Sequence, residues 1–408
     1  MAVTFKTAIE RKTINLRYLF LTFLKIGMVS FGGHMALISV IQREMAEKDK
    51  TISAEAILDA VGIASLLPGP MAVNVVTYLG YHLKGKRGAL VSMLGILLPA
   101  CTLMLVLSWG YFAYSFTSEG VGSMYFVPAT VAAIILSTGV QMYRKEVGGK
   151  SLKLVLCFTT ILLLLFFKSY FLTVLLLLAG GIAGVLLKLG TEMTAQTGLV
   201  PGFSLKPGKA AAWTLAVLAL IEVCFVANVA QYFENIFIKI SLIFSGISLS
   251  LFGGGYVMIP IMQALFVDDL KWLLKQEFVD AIAFSQITPG PILVSATFIG
   301  YKLAGVGGAL LATAAIFIPS AILMIIVSGI FEKNKHRQFL QNLLSGIKAV
   351  VVGMILVAGA NIAQGFGRDY LLVGVTVVVF ALSYRLKVSP VYLILLSILS
   401  GISFYSWQ

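Results

Sequence analysis

Leu67-Pro68-Gly69-Pro70-Met71-Ala72-Val73 has a counterpart 221 residues on, Thr288-Pro289-Gly290-Pro291-Ile292-Leu293-Val294, and both lie in otherwise apolar sequence. Proline cannot donate a backbone hydrogen bond and its ring clashes with the preceding turn, so Pro-Gly-Pro breaks a helix. Pro70 and Pro291 then suit the first position of a new one. The same offset relates Phe31-Gly32-Gly33 to Phe252-Gly253-Gly254, and Asp59-Ala60 to Asp280-Ala281. An offset one residue shorter relates Gly80-Tyr81-x-Leu83-x-Gly85-x-x-Gly88-Ala89-Leu90 to Gly300-Tyr301-x-Leu303-x-Gly305-x-x-Gly308-Ala309-Leu310, and Pro99 to Pro319. Helix breakers at matching places in two apolar halves mark a transporter built from repeats, with its site at the broken helices.

Composition points the same way. Of 408 residues, 59% are hydrophobic and 12% charged, whereas a soluble domain is roughly 25% charged. Runs such as Phe171 to Leu187 and Ala309 to Phe331 carry no charge over most of a bilayer's thickness. The reading is an all-α polytopic membrane protein. The first apolar stretch, from Tyr18 onward, is too long for a signal peptide and lacks a small-residue cleavage site. Cys101, Cys157 and Cys224 fall singly in apolar segments and suggest no metal site. The net charge of +13 is concentrated in short loops, which fits an anionic lipid surface rather than nucleic acid. No Gly-x-x-x-x-Gly-Lys-Ser/Thr stretch is present, which argues against an ATP-driven pump.

Hydropathy gives spans near 18–40, 55–80, 89–112, 122–142, 151–167 and 170–187, then 211–230, then 236–258, 277–301, 309–330, 340–361, 370–384 and 389–405. That is about 13 transmembrane helices. The domain reading is a first repeat over 1–190, a connecting loop and extra helix over 191–235, and a second repeat over 236–408. Lys84, Lys86 and Arg87 face uncharged Ala304, Val306 and Gly307 in the alignment, while Lys333, Lys335 and Arg337 face uncharged residues of the first half. Lysine and arginine in short loops mark the cytoplasmic side, so the two repeats are expected to have inverted topology. The amino end is then cytoplasmic and the carboxyl end outside, in the inner or plasma membrane.

These doubled motifs resemble the chromate ion transporter family in its long, two-domain form: Phe-Gly-Gly in the first span, Pro-Gly-Pro in the second, and Gly-x-x-Gly-Ala before the third. The resemblance covers nearly the whole chain. It implies a secondary transporter that exports chromate from the cytoplasm, confers chromate resistance, and is driven by membrane potential or an ion gradient. Some relatives have been associated with sulfate, so a sulfate-like oxyanion is the alternative substrate. No cofactor is implied. Membrane lipids are the expected surroundings, and a homodimer is left open.

The residues themselves give a candidate substrate site. A fresh helix start after Pro70 leaves the amides of Met71, Ala72 and Val73 unpartnered at the positive end of a helix dipole, which suits an oxyanion. Pro289, Gly290, Pro291 and Ile292 repeat the arrangement. Pro68, Gly69 and the breaks as a whole also admit a plain packing role as kinks. Phe31, Gly32, Gly33, Phe252, Gly253 and Gly254 allow close backbone approach, either to substrate or to a neighbouring helix. Asn74 and Thr288 flank the breaks and either donate to an anion or cap the freed backbone. Asn74 has no clear counterpart around Val294 and Ser295. Lys25, inside the first span, is a substrate cation or a residue that snorkels to the interface. Candidates for ion coupling are His34, Asp59 and Asp280, the two acids also suiting an early helical turn. The competing function classes are a passive anion channel and an intramembrane lipid-phosphate enzyme, which needs a nucleophile and base that the sequence does not place at the break.

Overall fold

The structure, a computed structural model, describes residues 14–31, 34–114, 124–190, 233–250, 255–332 and 338–406. They form helices with no strand among them: α1 (Leu16–Val29), α2 (His34–Ile41), α3 (Ala54–Leu66), α4 (Met71–Tyr114), α5 (Val127–Met142), α6 (Ser151–Phe166) and α7 (Tyr170–Leu186). The second half supplies α8 (Ile236–Ser250), α9 (Met258–Met262), α10 (Lys275–Ile287), α11 (Ser295–Glu332), α12 (Gln338–Gln364), α13 (Tyr370–Arg385) and α14 (Pro390–Tyr405). This is an all-α polytopic membrane architecture. The extra span read at 211–230 and Cys224 lie outside the described residues.

The segments read as single crossings at 18–40 and 277–301 do not run straight. Lys25 Nζ lies 2.7 Å from Glu44, and the Tyr18 hydroxyl donates to Asp49 at 2.6 Å. Residues 19 apart in one straight helix lie about 28 Å apart. The chain therefore turns back between α1 and α2. In the second half Lys302 pairs with Glu277, which places a tip at Pro289-Gly290. Gly69 and Gly290 share φ +113°, a backbone conformation that glycine alone adopts freely. Hydropathy misses these reversals because it measures apolar length, not direction.

Two long helices also fold back. In α4, Lys84 (φ −143°, ψ 24°) and Gly85 (φ 62°, ψ −153°) interrupt the helix. In α11, Ala304 (φ −151°, ψ 33°) and Gly305 (φ 58°, ψ −148°) do the same. A Cβ on Gly80 would sit 2.5 Å from the Gly88 carbonyl oxygen, and one on Gly300 would sit 2.3 Å from that of Gly308. Eight residues of straight helix separate atoms by about 12 Å. The Gly-x-x-Gly-Ala motif is therefore the seam of a tight helical hairpin, joining limbs 71–83 and 86–114, and likewise 295–303 and 306–332.

The halves meet through paired equivalent contacts. A Cβ on Gly139 would touch Leu356 and Ile355, and one on Gly359 would touch Leu136 and Ile135. Moving up α5 moves down α12, so these helices, which correspond in the sequence alignment, cross antiparallel. Small residues let helices approach closely here, as is common where lipid gives no hydrophobic drive between helices. Gly27 against Ile96 and Gly95 against Phe20 seat α1 on the second limb of α4 in the same way.

Candidate functional site

The Pro-Gly-Pro tips are buried at the meeting of the two halves. A Cβ on Gly69 would lie 2.2 Å from Ser320 Cβ, and one on Gly290 would lie 3.2 Å from Ala100 Cβ. Ala100 and Ser320 each follow the repeated proline, Pro99 and Pro319, so each tip rests on the equivalent helix of the opposite half. The Gly290 amide donates to the carbonyl of Ser30 at 2.8 Å. Ser30 ends α1 immediately before Phe31. The second-half Pro-Gly-Pro tip is thus joined to the end of α1.

Both tips leave backbone donors unused within their own helices. The first helical bond after Pro70 runs from the Asn74 amide to the Pro70 carbonyl at 3.0 Å, so the amides of Met71, Ala72 and Val73 precede it. After Pro291, the Val294 amide reaches the Pro291 carbonyl at 3.1 Å, with Ile292 and Leu293 ahead of it. Asn74 is fully buried; its Nδ2 donates to the Pro68 carbonyl at 3.3 Å and its Oδ1 has no partner. Ser295, at the equivalent position, is also fully buried with a partnerless hydroxyl. The sequence alignment had given Asn74 no clear counterpart; Ser295 is that counterpart in position. It was missed because an amide and a hydroxyl do not read as equivalents.

Other predicted residues disperse. Thr288 caps α10, its hydroxyl donating to the Ser285 carbonyl at 3.1 Å. Phe31 is 45% exposed. Gly32, Gly33, Phe252, Gly253 and Gly254 lie outside the described residues. His34 opens α2, and its side chain is likewise outside them. Lys25 is held by Glu44 across the first hairpin, short of the tip. Asp59 is partly exposed, whereas Asp280 is 1% exposed and accepts from the Tyr111 hydroxyl at 2.8 Å and Gln276 Nε2 at 2.9 Å.

A cavity of about 610 Å³ borders Asp280 at one end of the bundle, between the end of α4, the starts of α5 and α10 and the end of α12. Its wall includes Tyr111, Tyr125, Gln263, Glu277 and Asn361. Asp280 lies ten residues before Gly290, about 15 Å along a helix, so this space is separate from the tips. Nothing in the sequence signals it, since its wall is gathered from segments far apart in the chain. Outside the membrane helices, the Asp369 carboxyl is held below the ordinary range by the hydrogen bond from Tyr125.

A family model described as "Chromate transporter" matches residues 17–185 and again 238–402. The probable chromate transport protein of Synechococcus elongatus is 28% identical over 402 residues, 96% of each chain. The chromate transport protein of Pseudomonas aeruginosa is 28% identical, over 94% of this chain and 91% of its own. That of Cupriavidus metallidurans is 27% identical, over 84% and 81%. No solved structure matches.

Proposed function

The chain belongs to the chromate transporter family, and we propose that it exports chromate from the cytoplasm by alternating access between two inverted halves. The observation that carries this reading is the buried meeting of half-helix starts: amides at 71–73 and 292–293 that no helical bond uses, beside the partnerless hydroxyl of Ser295. Helix starts of this kind favour a tetrahedral dianion through their amides and dipoles. Neutral donors hold it without fixed cations that would keep it from leaving. Pro68 to Ala72, Asn74 and Thr288 to Ile292 form the proposed site, with Phe31, Gly32, Gly33, Phe252, Gly253 and Gly254 as further contributors.

By the repeat relation, 236–269 and 54–83 follow the hairpins at 16–48 and 275–303, and all four segments enter the bilayer without crossing it. Crossings are then the second limbs of α4 and α11, α5, α6, α7, α12, α13 and α14, with one more in 211–230. Removing two apparent spans from each half leaves parity unchanged. The amino end stays cytoplasmic, the carboxyl end stays outside, and the basic clusters at 84–87, 144–150, 333–337 and 385–387 stay inside. The antiparallel crossing of α5 and α12 supports the inversion. The repeats are then 1–190 and 236–408, linked by 191–235.

Potential alone suffices for export. At about 2.3 kcal/mol per charge per 100 mV, a dianion leaving a negative interior gains roughly 4–5 kcal/mol. That supports a gradient of about a thousandfold, from which chromate resistance follows. The test is radiolabelled chromate uptake into inverted vesicles under an imposed potential. Accumulation under inside-positive potential, inhibited by sulfate, is expected. Absence of accumulation under either polarity overturns the reading.

A further inference from the structure

Asp59 and Asp280 occupy equivalent positions but not equivalent surroundings. Asp280 is 1% exposed, and among the described residues no lysine or arginine forms an ion pair with it. Among the described residues its two carboxylate oxygens accept only from the Tyr111 hydroxyl and the Gln276 amide. Both partners are ambivalent: a hydroxyl rotates from donor to acceptor, and an amide turns to present its oxygen. A lysine or arginine partner would fix Asp280 as an anion. This pair satisfies it in either protonation state.

The other groups facing the cavity do not compete. Glu277 is paired with Lys302, which comes from the first limb of α11. Lys275 is exposed at the rim. Tyr125, before α5, donates its hydroxyl to Asp369. Gln263, directly after α9, is 6% exposed with Oε1 partnerless, and Asn361 Oδ1 on α12 is partnerless too. Two buried acceptors without donors facing one cavity call for water or hydronium. Behind Asp280 the wall is aromatic, with Tyr111 packed against Phe112, Phe284 and Phe298 at ring distances of 5.1, 5.7 and 5.2 Å. An unpaired carboxylate against such a wall carries a desolvation cost that a bound proton removes.

We propose that Asp280 is the proton-binding residue of the transport cycle, loaded from the outer solution through this cavity and emptied to the cytoplasm as chromate leaves. Hydronium protonates the carboxylate to the acid and leaves water, and the reverse step discharges it, so no other reactant is needed. Asp59 plays no such part. In its turn Ala56 stands where Glu277 does and Glu55 where Gln276 does. The inference rests on the carrier reading, and the two fail differently.

The experiment uses the full chain in liposomes with chromate and a pH dye inside and the potential clamped to zero. Chromate efflux should acidify the lumen. Asp280→Asn should abolish the acidification, and Asp59→Asn should retain it. Tyr111→Phe removes a donor to the charged form, so the pH profile of efflux should move to higher pH without loss of the acidification. That variant also serves if Asp280→Asn does not fold. Chromate efflux with no lumenal pH change, or acidification that survives Asp280→Asn, overturns the proposal while leaving the carrier intact. No chromate movement under any condition overturns the carrier reading itself.

Discussion

The two Pro-Gly-Pro tips share a backbone and differ in their seating. Both glycines sit at φ +113°. Yet a Cβ on Gly69 would meet Ser320 at 2.2 Å, whereas one on Gly290 would meet only Ala100, at 3.2 Å. The second tip is held instead by its amide's bond to Ser30. The repeat therefore conserves the shape of the chain and lets side-chain contacts diverge. Asp59 and Asp280 teach the same lesson on the helices leading into those tips.

The largest effect should come from breaking the tighter tip. Gly69→Ala and Gly290→Ala both carry the strain of positive φ, about 1–2 kcal/mol. Gly69→Ala adds overpacking against Ser320, about 1–3 kcal/mol. Unfolding in detergent should rank Gly69→Ala below Gly290→Ala. Adding Ser320→Gly should recover only the packing part, and no recovery would mean the close approach is not its source.

Replacing proline acts more on transport than on stability. Pro70→Ala or Pro291→Ala loosens the unfolded chain by only about 0.4–1 kcal/mol, so the protein should still reach the membrane. Chromate efflux should fall in both, because each tip loses its fixed helix start. Wild-type rates in both would remove the breaks from the mechanism, and loss in one alone would make the halves unequal partners.

Much of this was legible in the sequence, because helix breakers and glycine seams are local. Pro68-Gly69-Pro70 announces a break, and the offset announces its partner. What was not legible is direction. Phe31-Gly32-Gly33 in an apolar run reads as one span whether the chain continues or turns back, and the Lys25–Glu44 and Tyr18–Asp49 contacts decide it. Asp280 was visible as a motif residue. Its partner Tyr111 is 169 positions away, and no periodicity joins them. Lys25 likewise looked like an isolated intramembrane cation until the hairpin supplied Glu44.

The smallest effect separates two equivalent helix starts. Asp369 caps α13, its Oδ1 accepting from the amides of Leu371 and Leu372 at 3.0 and 3.2 Å. Lys150, at the corresponding start of α6, makes no side-chain cap bond. Tyr125 and the two amides hold the Asp369 carboxyl below its ordinary range. A carboxyl depressed in the folded state stabilises above its unfolded value, and that contribution drains as pH falls through the folded one. Acidification below the usual carboxylate range should therefore speed hydrogen exchange at 370–373 and leave 151–154 unchanged. Asp369→Asn keeps a capping oxygen but cannot titrate, so exchange at 370–373 should lose its pH step. A step that persists would place the titrating group elsewhere.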